Sequence, residues 1–287
     1  MKSLPKFSLL PHLGKSNLRS TLPPAWSLSM SAPALRPLST GEILDVSFGL
    51  YRQRFGPLVK VALVTAAVPM LIGIYVTTAG GQFANPGLSI ANLLLKTVLD
   101  LLALGATIFI VSESYLGHDL SAADALKRSV PFLGRLVFLS ILLGLVIGVG
   151  FLLFFIPGCV FLAGLIASVP ALVLENHQSA LEAMGRGWGL SRGFRRKQFV
   201  IVATVFILQV IPAMAAGFFL PEFSNPAAVY ELEGGVGTAS IILGVAGILQ
   251  VLISPFVYCT VTVAYYDLRV RKEGFDLEIL AARLQPA

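Results

Sequence analysis

The chain has 287 residues, 56% of them hydrophobic and only 13% charged, with a formal net charge of +6 and a mean hydropathy of +0.83. So little polar side chain cannot cover a water-soluble globule of this size, which excludes a soluble enzyme or a nucleic-acid-binding domain and directs the chain into lipid. Cys159 and Cys259 both fall in apolar runs and read as small packed hydrophobes; with no CxxC, HExxH or His/Cys cluster, no metal or cofactor is expected.

Residues 1–37 form a basic extension. Lys2, Lys6, Lys15, Arg19 and Arg36 occur there without a single acid, among several Ser and Pro and without an apolar run of signal-peptide length. The prolines oppose an amphipathic transit helix, so disorder is expected, and Met30 offers an alternative start.

A membrane domain is expected over 38–280. It opens with Ser39-x-x-Glu42, a capping box: the Ser oxygen accepts from an orphan backbone N–H while the carboxylate reaches back to the cap. Behind it Leu44, Phe48, Tyr51 and Phe55 share one helical face, opposite Asp45, Arg52 and Gln53, as in an amphipathic helix lying at a membrane surface. Apolar blocks follow at 58–79 and 89–115, near the ~20 helical residues a hydrocarbon core requires. On the second, Lys96 and Asp100 stand at i, i+4 on a polar stripe; charges so placed are costly in lipid, and the pair is a candidate intramembrane site. The alternative places Lys96 near the outer headgroups with Asp100 tied to it.

Ser121-x-x-Asp124 repeats the cap, with Leu126 and Val130 as anchors, before blocks at 132–155 and 159–174 joined by a turn at Pro157-Gly158. Ser179-x-x-Glu182 repeats it again, with Met184 and Trp188, before blocks at 199–220 and 238–266. In every copy the acid lies three residues after the Ser, the first anchor five and the second nine. The segments therefore read as three repeats, 39–117, 118–175 and 176–270, each an interfacial helix followed by a transmembrane hairpin. The fold expected is all-α: a polytopic bundle of six transmembrane helices, closed by a tail at 281–287. The last block carries its own polar stripe, of which Gln250 and Ser254 are candidates for the same cavity; hydrogen bonding from helix to helix is the other account.

Of the 21 Lys and Arg, all but Lys96 fall in the extension, in the three cap-bearing segments and their flanks, or after Tyr266, whereas the alternate loops are neutral or acidic. Both termini are thus expected in the cytoplasm, with the chain in a bacterial-type plasma membrane. Arg192, Arg195, Arg196, Asp267 and Arg269 are candidate contacts for anionic lipid headgroups. Tyr265 and Tyr266 before that last basic cluster suit an anchoring aromatic belt; docking of Asp267 and Arg269 onto the segment 185–197 is the alternative.

The runs STGEILDVSFGLYRQRFGPL, VPALVLENHQSALEAMGRGWGLSRG and YYDLRVRKEGFDLE resemble the membrane domain named for glycerophosphoryl diester phosphodiesterases, over about Leu38 to Leu280. Val46 and Gly49 depart from that pattern, which tends to have Arg there. The resemblance implies a stand-alone multi-pass protein and no activity, since the His-Arg-Gly start and metal-binding carboxylates of the phosphodiesterase domain are missing. Two functions are expected from these readings. One is a non-enzymatic membrane protein that binds lipid, or organises and regulates a membrane-protein partner or a second copy of itself. The alternative is a transporter or channel for a small or lipidic solute.

Overall fold

The computed structural model describes residues 36–78, 85–115, 117–175, 179–219 and 235–274. The basic extension with Met30, most of the two loops expected at 80–88 and 221–237, and the tail lie outside these. Ten α-helices and one short 3-10 turn occur among the described residues, and no strand. They are α1 (Thr40–Gln53), α2 (Phe55–Thr78), α3 (Pro86–Tyr115), α4 (Ala122–Ser129), α5 (Leu133–Leu153), α6 (Phe155–Leu165), α7 (Ser168–Leu174), α8 (Ala180–Ser191), α9 (Arg195–Phe219) and α10 (Gly235–Glu273). Five segments are long and apolar enough to cross a bilayer: Phe55–Val76, Pro86–Tyr115, Ala122–Leu153, Phe155–Leu174 and Gly244–Glu273. Among the described residues the regular structure is all helical, with the apolar lengths of a membrane protein.

The three serines begin α1, α4 and α8 as expected, but only the first makes a reciprocal box. Ser39 Oγ accepts from the Glu42 N–H at 3.3 Å, and the Glu42 carboxylate accepts from the Ser39 N–H at 2.6 Å. Ser121 Oγ accepts from the Asp124 N–H but donates its own proton to the Asp124 carboxylate at 2.7 Å, because Asp is one methylene too short to reach the cap backbone. Ser179 Oγ accepts from the Leu181 N–H at 3.2 Å and leaves Glu182 outside the cap.

The faces these helices bury are also one residue out of phase with the expected anchors. Leu44, Leu126, Met184 and Trp188 are half-buried, and Phe48 and Val130 are each 55% exposed. The buried rows are Ile43 and Ser47, Ala125 and Ser129, Ala183 and Gly187, at four and eight residues after each serine. Apart from Ile43, small side chains fill the inner rows, where another helix lies directly against them. A Cβ on Gly187 would fall 2.7 Å from the Ser168 backbone nitrogen, and one on Gly105 would meet Ser129. The bulkier residues flank that seam, where size rather than close fit is wanted.

Partners follow one rule. Helix α4 packs on α3, α8 on α7, and α1, the first in sequence, on α10, the last. The long helices pack α2 on α3, α5 on α6 and α9 on α10, with α3 touching α5, α6 touching α9 and α10 touching α2, so the six close into a ring. One expected block is broken: 159–174 is two helices, α6 and α7, interrupted at Ile166 and Ala167. The turn before it lies at Phe154, in extended conformation, and not at Pro157-Gly158. Pro157 is the third residue of α6, where a missing N–H leaves no intrahelical bond unmade.

The larger buried cluster joins Ile43, Leu50, Leu58, Tyr265 and Leu268, at the end of the ring where the cations collect. Large apolar side chains on the outer flanks of α2, α3, α5 and α6 remain exposed, as expected of helices whose solvent is hydrocarbon.

Candidate functional site

The last turns of α10 hold most of the buried charge. Asp267 has a fully buried side chain, yet every lone pair it offers is directed at a donor. Its carboxylate accepts from Lys197 Nζ at 2.6 Å, from Arg271 Nε at 3.0 Å and from the backbone N–H of Leu38 at 2.7 Å. The Leu38 carbonyl in turn accepts from Lys197 and from Arg271. The segment before α1 is therefore pinned between the start of α9 and the end of α10 by one carboxylate and two cations.

One turn away a second network is built on Glu175. Arg186 donates to it twice, from Nε at 2.7 Å and Nη2 at 2.9 Å, and the Tyr265 hydroxyl donates at 2.6 Å. Arg186 also reaches Glu273 at 2.5 Å, which Arg269 meets at 3.0 Å. Burial pushes the Glu175 carboxyl up, but the Arg186 and Tyr265 hydrogen bonds outweigh it and hold the group below its ordinary value. Burial likewise opposes the charge on Arg186, and the two carboxylates beside it more than restore it.

Asp267 and Arg269 are thus corrected from headgroup contacts to internal ion pairs. Asp267 meets Lys197 on the segment 185–197 that the alternative reading of the tail named, whereas Arg269 pairs with Glu175 and Glu273 outside it. Asp267 and Arg269 are both buried, so neither is presented to a bilayer surface. Tyr265 and Tyr266 are buried as well: Tyr265 joins the Glu175 network, and Tyr266 donates to Ser112 at 2.9 Å with its ring 4.8 Å from that of Tyr115. An aromatic belt would have left them at the surface.

Arg192, Arg195 and Arg196 are placed differently. Arg192 and Arg196 are exposed, Arg195 is half-buried, and none of the three forms an ion pair among the described residues. The Arg195 guanidinium stacks 3.7 Å from the centre of the Trp188 ring, and its Nε is buried without a hydrogen-bond partner. Trp188 itself lies over Gly164, where a Cβ would come within 2.5 Å of the indole. This chain of contacts was not foreseen, and no spacing in the sequence signals it.

The four candidates for an intramembrane site separate into two groups. Lys96 and Asp100 pair at 2.5 Å with side chains 52% and 42% exposed. Gln250 bonds across to Gln209 of α9, and Ser254 turns back on the Val251 carbonyl at 3.5 Å. Gln250 thus works between α9 and α10, while Lys96 and Asp100 pair within α3.

No protein-family model, curated protein or solved structure matches this chain.

Proposed function

We propose that this is a non-enzymatic, multi-pass protein of a bacterial-type plasma membrane that engages lipid at the cytoplasmic face through α1, α4 and α8, with both termini on that side. In this reading α2, α3, α5, α6 with α7, α9 and α10 are six spans arranged as three hairpins, each preceded by an interfacial helix. Kinship with the stand-alone membrane domains of the glycerophosphoryl diester phosphodiesterase family belongs to the same proposal and rests on the three runs named above.

The observation that carries it is the two-sidedness of the capped helices. Each buries an inner row against the ring while large apolar side chains stand exposed: Phe48 one turn from Arg52, Val130 one turn from Lys127, and Leu181 at the start of α8. Apolar side chains and cations on one outer face suit the boundary between acyl chains and anionic headgroups, each cation there contributing about 1 kcal/mol. The separate pairing of Lys96–Asp100 and Gln209–Gln250 favours helix packing over a shared hydrated path.

The test is native mass spectrometry of the protein in native-lipid discs, wild type beside Asp100→Ala. Stoichiometric lipid retained by both is the expected result. A small solute bound by the wild type and lost from Asp100→Ala would overturn this reading in favour of transport.

A further inference from the structure

A cavity of about 430 Å³ lies between α6 and the start of α9, within the range of ligand pockets. Its walls are apolar: Ile156, Cys159 and Val160 on one side, Phe199 and Val200 on the other. Its remaining wall carries Arg195 and Arg196. Both arginines lie at the cation-rich end of the ring, since the next residue, Lys197, is the one held by Asp267. An apolar trough capped by two cations has the polarity of a lipid molecule.

Three features set this trough apart from an ordinary groove between helices. The arginines have no carboxylate partner among the described residues, in a region where Lys197, Arg186, Arg269 and Arg271 are all paired. Arg195 is held against Trp188 with a buried Nε that nothing in the protein satisfies, so the guanidinium is positioned without being neutralised. No acidic residue stands in the first turn of α9, a helix of 25 residues whose positive end therefore adds to the same field. The trough is also open sideways: Phe155 and Ile156 are 72% and 74% exposed, and in the bilayer that flank meets acyl chains.

We infer that the α6–α9 trough is a binding site for one anionic glycerophospholipid, with its phosphate on Arg195 and Arg196 and an acyl chain along Ile156, Val160 and Phe199. This deepens the proposed function and rests on it, because it places the trough's cationic end at the cytoplasmic headgroups. A bidentate guanidinium matches phosphate oxygens better than an ammonium would, which gives arginine at both positions a chemical reason. A zwitterionic lipid would bring its own ammonium to the same two cations and be disfavoured.

The test uses the full chain, purified in detergent and stripped of lipid, then titrated with phosphatidylglycerol, with phosphatidylethanolamine of the same chains, or with glycerol phosphate alone, and read by native mass spectrometry. Phosphatidylglycerol is expected to bind one to one, and in preference to phosphatidylethanolamine. Arg195→Gln/Arg196→Gln should weaken it by about fivefold for each guanidinium removed, whereas Lys60→Gln, at an exposed cation of α2 away from the trough, should not. Val160→Trp, which fills the trough and leaves both charges, should abolish binding while the melting temperature stays near that of the wild type. Equal uptake of the two lipids, or indifference to the double variant, would overturn the site while leaving general lipid engagement standing. Binding of glycerol phosphate as strong as that of the whole lipid would overturn the acyl-chain half of it. Failure of the wild type to hold any lipid would overturn the proposed function as well.

Discussion

The backbone N–H of Leu38 donates at 2.7 Å to Asp267, a residue 229 positions further along the chain. Because the same carboxylate holds Lys197 and Arg271, removing its charge strands two cations against one carbonyl. Asp267→Asn is therefore expected to cost about 3–5 kcal/mol, the loss typical of breaking a buried pair from one side. Thermal melting in detergent measures it, and a shift no larger than that of an exposed-carboxylate variant such as Asp45→Asn would contradict the pinning role.

The inner row of α8 should tolerate less added volume than its neighbour row. Gly187→Ala must move the Ser168 backbone, and Ala183→Leu overfills a position that is fully buried. Each is expected to destabilise by about 1–3 kcal/mol. Met184→Leu, half-buried and nearly volume-conserving, should fall below about 1.5 kcal/mol. If Met184→Leu proved the most damaging of the three, the burial phase described here would be wrong.

Gln198 is fully buried, and neither end of its amide has a hydrogen-bond partner. Such a group carries a desolvation cost of about 1–3 kcal/mol with no return. Gln198→Met keeps the length and removes the polar atoms, so a raised melting temperature is expected. A fall would reveal a bound water or ligand on that amide.

Acid should act both on the Glu175 network and on the cap of α1. The Glu175 carboxyl titrates below its ordinary 4.5 in the folded protein, so its contribution is complete above that value and is lost as pH falls through the lower, folded one. Glu42 is held down to about 2, by the Ser39 backbone hydrogen bond and then by Arg36, so its cap is lost only as pH falls toward that value. The melting temperature should stay level from pH 7 to about 5 and decline below about 4, and Glu175→Gln should flatten the first part of that decline.

Lys96 and Asp100 are half-exposed, so their pairing should contribute only about 0.5–1 kcal/mol. The double variant Lys96→Met/Asp100→Leu is expected to melt above Lys96→Met alone, which leaves an unpaired carboxylate on an apolar helix. A double-mutant cycle reads the coupling; additive losses would mean that the two side chains are solvated independently.

Composition alone was enough for the helical membrane class, and the serines at 39, 121 and 179 marked three helix starts correctly. The faces those helices bury were not legible in the same way. Hydrophobic periodicity weights large side chains, and so it chose Leu44, Phe48 and Val130, whereas close helix contact selects Ser47, Ser129 and Gly187, which carry almost no hydrophobic signal. The break at Ile166 and Ala167 hides within an unbroken apolar run, since hydropathy does not register where a helix is interrupted. Asp267 was visible as a charge near a helix end, but its partners at Leu38 and Lys197 are set by how the ring closes. Arg195 and Arg196 were recognised as cations; the trough beside them depends on α6, more than thirty residues upstream.

The packing of α1 on α10 also sets an order of events during synthesis. When α4 and α8 emerge from the ribosome, the helices they rest on, α3 and α7, already exist. Helix α1 emerges first and finds nothing to rest on, because its seat is made last. At roughly 5–20 residues per second, the 229 residues between Leu38 and Asp267 occupy on the order of ten to forty-five seconds. For that interval the inner face of α1 must be sheltered by lipid or by the insertion machinery, and a nascent chain stalled before Asp267 lacks the carboxylate that pins the segment before α1.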